Sequence, residues 1–214
     1  MNAARSSYAS AIRYFGDSTF LEPTMSGGLV LLIVLALLAV FGVFVFNQLV
    51  TLKHNVGKAW ANIDILLKQR HDELPKLVDT CQQYMQFEQE TLEKVMRARN
   101  SVASARESHN IPALGQAESA LRLGLGNLFA VAEAYPELKT NETFLHLQAR
   151  ISGLENSIAD RREFYNDSVN VNNVRVEQFP DTLIARLFGF GQFSLLRFAT
   201  EEKQDVNIKQ LFNQ

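Results

Sequence analysis

The chain has 214 residues, with 21 Lys and Arg against 23 Asp and Glu and a formal net charge of −2 at pH 7. That balance, without any block of basic residues, leaves no electrostatic footprint for nucleic acid, and a single cysteine, Cys81, excludes an internal disulfide framework. Charge is unevenly distributed, however: residues 23–52 carry none.

Within that window residues 28–46 form an unbroken apolar run. As a helix it is about 28 Å long, close to the hydrocarbon thickness of a bilayer. The run predicts a transmembrane helix over 27–46 behind a short head at 1–26. A cleaved signal peptide would place a shorter apolar region nearer the start, and the NQLVTLK that follows Phe46 offers no small-x-small cleavage site. The anchor is therefore expected to be retained. Lys53, Lys58, Lys68 and Arg70 follow the run while only Arg5 and Arg13 precede it, which puts the large C-terminal part in the cytoplasm and the head outside.

Beyond the run, apolar residues recur in steps of three and four. One seam passes through Val56, Trp60, Ile63, Leu67, Leu74, Leu77 and Cys81, continuing at Leu92, Val95 and Val102. A second takes Leu114, Leu121, Leu125 and Leu128, and a third Phe144, Leu147, Ile151, Ile158, Tyr165 and Val169. These are bundle seams and not the alternation of strands. The fold class is all-α: one N-terminal transmembrane helix, an antiparallel four-helix bundle over 47–179, and a short helical and aromatic extension over 180–214.

Pro112, Pro136 and Pro180 punctuate the seams. Pro75 is the ambiguous one. Arg70 and His71 suit a helix C-terminus, and Asp72 and Glu73 before Pro75 suit a new first turn; against this, the three-four phase passes from Leu67 through Arg70 to Leu74 and Leu77 without slipping. The punctuation is taken to mark a reversal, which gives helices near 47–71, 73–107, 112–134 and 141–177. In the extension, Phe188, Phe190, Phe193, Phe198 and Phe212 are too apolar for a solvated linker. They read either as a short fifth helix and tail packed on the bundle, or as a segment lying in the membrane interface or on a partner.

Several stretches together resemble the LemA family. Residues 55–64, reading NVGKAWANID, are followed by LKQR at 67–70, LPKLV at 74–78 and TLEKV at 91–95, then by Ala98 and Arg99. EAYPELK at 133–139, Phe144, Leu147, Gln148, Glu155, Arg161, Arg162, Tyr165, Asn166, Val169, Phe179 and Pro180 extend the pattern in order. The resemblance covers about residues 47–189. It implies an N-terminally anchored protein of the bacterial inner membrane, single-pass, with a helical-bundle domain and no established catalytic activity; related members are associated with magnetosome membranes.

No catalytic constellation survives a spacing test. Di-iron bundles need Glu three residues before His, and the residues so placed before His54, His71, His109 and His146 are Thr51, Lys68, Arg106 and Thr143. There is no His-Glu-x-x-His, no nucleophile elbow and no phosphate loop. Glu88, Glu90 and Glu93 read as a solvated helix face, with Glu90 and Lys94 at ion-pair spacing. No catalytic residue, cofactor or metal ligand is expected.

The polar residues on core phase are more informative: Arg70, Glu88, Arg99, Arg161 and Asn172. Each must find a partner or lay its stem along the core edge with its head in water. One alternative is a buried network joining Arg99 or Arg161 to Glu88 or Glu155. Trp60 is expected as a buried anchor and not a ligand platform, with Asn62 and Asp64 beside it as contact candidates. Tyr135, Pro136, Tyr165 and Asn166 complete the structural candidates. The expected role is a membrane-anchored structural or interaction protein, a scaffold on the lipid bilayer that associates with copies of itself through Phe188, Phe190 and Phe193. An accessory or adaptor subunit of an envelope protease or transporter, binding another membrane protein, is the alternative.

Overall fold

In the computed structural model, which describes residues 27–198, α1 runs without interruption over Gly27–Gln82. Its 56 residues span about 84 Å. The predicted head at 1–26 and Phe212 lie outside the described residues. The chain divides into two compact units, Met1–Val43 and Phe44–Gln214. In the first, residues 27–41 are helical and exposed throughout, on a helix long and apolar enough to cross a membrane.

In the second unit α1 acquires one buried stripe: Val45, Leu49, Val56, Ala59, Ile63, Leu67, Arg70, Leu74, Leu77 and Cys81. Steps of three, four and seven keep these on a single face. On that face pack α2 (Gln89–Glu107), α3 (Ile111–Ala132) and α5 (Glu142–Glu177), with one-turn α4 (Pro136–Lys139) between the last two and α6 (Asp181–Phe188) after them. The four long helices share one core, in which Ile63, Leu67, Leu74, Leu121, Leu125 and Ile151 are sealed from solvent. Among the described residues there is no strand, and the all-α fold with its long apolar first helix is the one the periodicity predicts. Predicted helices 112–134 and 141–177 match α3 and α5 closely.

The reversal expected at Pro75 is corrected. α1 continues through Pro75, and the chain turns at residues 83–88 instead, so the helix predicted over 73–107 is the end of α1 followed by α2. An interior proline lacks the N–H that would bond the carbonyl four residues back, a loss of about 3 kcal/mol with the accompanying clash. Here that carbonyl belongs to His71, and Arg99 Nε of α2 donates to it at 2.9 Å. With Leu74, Leu77 and Val78 all buried, the unslipped apolar phase prevails over the cap-like charges.

The turn itself is closed by the N–H groups of Tyr84 and Met85, which donate to Cys81 O at 3.0 and 2.9 Å. Asparagines start the next helices. Asn110 Oδ1 accepts from Ala113 N–H at 3.1 Å and Asn141 Oδ1 from Phe144 N–H at 3.0 Å, each satisfying a first-turn donor. Asn141 Nδ2 also donates to Tyr84 Oη at 3.0 Å, which ties the start of α5 to the α1–α2 turn.

Candidate functional site

Arg70 is fully buried and donates to Glu118 of α3, equally buried, at 2.5 Å. The stem of Arg70 thus does not escape to the rim, and Glu118 supplies the counter-charge that burial demands. Half-buried Glu155 on α5 faces the same pair, with Oε1 unpartnered. Burial raises its pKa above the usual carboxylate range, against the pull of Arg70 and Arg122 and with help from Glu118. Three helices therefore converge on the buried Arg70 and two carboxylates, with Arg122 of α3 also acting on Glu155.

The network expected from Arg99 or Arg161 to Glu88 or Glu155 is corrected. Arg99 bonds His71 O and Asn100 Oδ1, Arg161 lies exposed on α5, and half-buried Glu88 stands at the N-cap of α2 without capping it. Sequence reasoning missed Glu118, although Arg70 on core phase implied an acid opposite it. Asp64 accepts from Arg106 Nε at 3.2 Å, and Asn62 is half-buried beside it in sequence. Glu90 and Glu93 are exposed and pair with Lys94 and Arg97 one turn on, the solvated face the spacing predicts.

After α6 the chain becomes a strap along α5. Gly189, at φ 70°, takes the left-handed conformation that ends the helix, and Phe190 N–H donates back to Ala185 O at 2.9 Å. Asn173 accepts from Phe193 N–H and donates to Phe193 O, both at 2.9 Å. Asn166, seven residues earlier on α5, does the same to Leu196 at 2.8 and 3.0 Å. Seven helical residues rise about 10.5 Å and three extended ones reach about 10 Å, so the two amides are spaced to read an extended chain running antiparallel to the helix.

Asn172, buried on core phase, finds Gly191 O at 3.2 Å, and Tyr165 Oη donates to Ser194 O at 3.0 Å. On α3 a Cβ at Gly115 would lie 2.0 Å from Arg197 O, so only glycine admits the strap there. The guanidinium of Arg162 sits 4.2 Å from the centroid of the Phe198 ring.

For residues 190–198 this arrangement corrects the expectation of surplus apolar surface for self-association; Phe188 stays 57% exposed. Leu196 and Phe198 are buried in the bundle core, Phe193 and Leu195 pack on it, and Phe190 packs on the cluster of Val45, Leu49 and Ala185. Phe188 and Phe190 also meet the ring of Phe46 edge-on, at 4.8 and 5.6 Å. For the tail at 190–198, the reading of a segment packed on the bundle is the one the structure bears out.

Trp60 is half-buried, not sealed; Val56, Ala59 and Ile63 take the interior positions around it. Its ring stands edge-on to Tyr165 at 5.8 Å and tilted to His109 at 6.1 Å. The three line a cleft of about 450 Å³ together with Lys53, His54, Ile111 and Phe193. Tyr135 is half-buried on the core and Pro136 opens α4. Among the described residues no three His, Cys, Asp or Glu side chains are grouped to hold a metal ion.

A family model described as the LemA family matches residues 59–210. Over most of its length the chain is similar to Protein LemA of Metamycoplasma hominis, 24% identical over 203 residues that make up 92% of each chain. A shorter stretch is similar to magnetosome proteins. MamQ 2 of Paramagnetospirillum magneticum is 35% identical and MamQ of Magnetospirillum gryphiswaldense 33% identical, each over 66 residues that are 31% of this chain and 24% of the relative.

Proposed function

The chain belongs to the LemA family, and from that premise we propose that it is a membrane-anchored structural and interaction protein that acts by binding and not by catalysis. One uninterrupted helix, Gly27–Gln82, carries both the apolar stretch and the first buried stripe of the bundle. The bundle is in this reading a surface presented at the membrane to copies of the same chain, on the cytoplasmic side that the excess of Lys and Arg after the run favours.

The observation that carries the reading is Phe87. It stands 90% exposed in the α1–α2 turn, next in sequence to Gln86, which lines a cleft of about 630 Å³ with Met85, Leu92, Glu93 and Met96. An aromatic held in water next to a cleft that mixes methionines with polar amides is the composition of a contact surface. Confinement to a plane raises the local concentration of neighbours, so modest contacts suffice for assembly.

Mass measurement of the full-length particle in mild detergent tests this. The expected result is an integral multiple of the 24.1 kDa chain that falls to the monomer in Phe87→Ser with helicity retained. A wild-type monomer across a wide concentration range overturns self-association. A different membrane protein retained in fixed ratio would move the role to that of an adaptor.

A further inference from the structure

α6 is apolar on two opposite sides. Ala185 is buried and Ile184 half-buried against Val45 and Leu49 of α1 and Val176 of α5, and buried Asp181 pairs with Arg175. On the far side Leu183 and Leu187, one turn apart, are 60% and 75% exposed. Phe179, four residues before Leu183, is 75% exposed. A continuous outward face of this kind on so short a segment is not surplus from packing, and it calls for an apolar medium.

The position of α6 says which medium. Its partners on α1 are Val45, Phe46 and Leu49, all inside the charge-free window that closes before Lys53. The apolar run at 28–46 fills about 28 Å of helix, the hydrocarbon thickness, so Phe46 and Leu49 fall where acyl chains give way to headgroups. Exposed Arg186 flanks the two leucines, placed for lipid phosphate. We propose that α6 is an interfacial helix, with Phe179, Leu183 and Leu187 inserted in the headgroup and acyl boundary of the bilayer that α1 enters. The bundle is then attached at two points, by a span and by a helix lying in the interface.

This inference rests on α1 being embedded, and the test separates the two. Full-length chain in a Trp60→Phe background carries one new tryptophan, Leu187→Trp or Leu183→Trp, both at exposed positions that leave the core untouched. Reconstitution is into phosphatidylcholine vesicles with or without lipids brominated on their acyl chains. Expected are blue-shifted emission and strong quenching by brominated lipid at both positions, with Phe87→Trp, in the turn after the end of α1 that lies about 54 Å beyond Phe46, unquenched. Leu35→Trp reports the span. Quenching at Leu35→Trp without quenching at positions 183 and 187 overturns the interfacial helix, whether their emission is water-like or blue-shifted under a second copy. Absence of quenching at Leu35→Trp as well overturns the anchor and the inference together.

Discussion

The Nε of Arg99 reaches 28 residues back to the carbonyl oxygen of His71, the acceptor that Pro75 leaves without a helical donor. A backbone defect on α1 is thereby repaired by a side chain of α2, and the two helices are joined at the point where the first is weakest. Burial and the neighbouring guanidinium of Arg99 also push the His71 imidazole below its usual range, against the pull of Asp72. Arg99→Ala should cost about 1–3 kcal/mol, the penalty for an orphaned buried acceptor. In a Pro75→Ala background, where residue 75 regains its N–H, the same substitution should cost much less. A double-mutant cycle on unfolding of the detergent-solubilised chain measures the difference; equal costs in both backgrounds would dissociate Arg99 from the proline.

Removal of one member of the Arg70–Glu118 pair leaves the other buried and charged. Arg70→Met alone should destabilise by about 3–5 kcal/mol, and adding Glu118→Leu should recover most of that. Thermal unfolding of the single and double variants decides it, and no recovery in the double would show that the pair is not energetically closed.

Glu155 supplies a pH dependence of known sign. Its folded-state pKa is raised, chiefly by burial, so the protonated form suits the fold; the associated stability is full below the ordinary carboxylate range and is lost as pH rises through the folded value. Glu155→Gln should therefore raise the melting temperature at pH 7 and change little near pH 4, where the wild-type carboxyl is itself largely neutral. His71, whose depressed pKa acts in the opposite sense and in a higher window, cancels in the comparison of the two proteins at each pH. A gain that is equal at both pH values would assign the effect to something other than titration.

The strap offers a local readout. Asn173→Asp keeps the shape of the side chain but replaces the donor to Phe193 O with an acceptor. Hydrogen exchange at the Phe193 and Leu196 amides should speed by one to two orders of magnitude, as a bond worth about 1–3 kcal/mol is lost, while amides in the middle of α3 stay protected. Uniform acceleration would mean that the strap does not open separately.

The helical seams were legible because burial on one face imposes a 3.6-residue period wherever a bundle forms. Pro75 was misread for a physical reason: the compensation comes from Arg99, a residue distant in sequence, and local rules weigh only the missing N–H. Glu118 was overlooked because it stands beside Ala117 on a seam that is otherwise apolar. Residues 190–198 have no period at all. Their conformation is dictated by amides at Asn166 and Asn173 on another element, and the phenylalanines alone could not say whether core, bilayer or partner would cover them. Trp60 was placed on the correct face but one step too deep.

Dependence of the core on residues as late as Leu196 and Phe198 has a consequence for biosynthesis. Translation delivers α1 first and the strap last among these elements, and the bond from Arg175 to Gln48 spans 127 residues of chain. Asn166, Asn172 and Asn173, which hold the strap, and Gly115, which admits it, all precede it in the chain, so the segment made last among these elements is received by residues made before it.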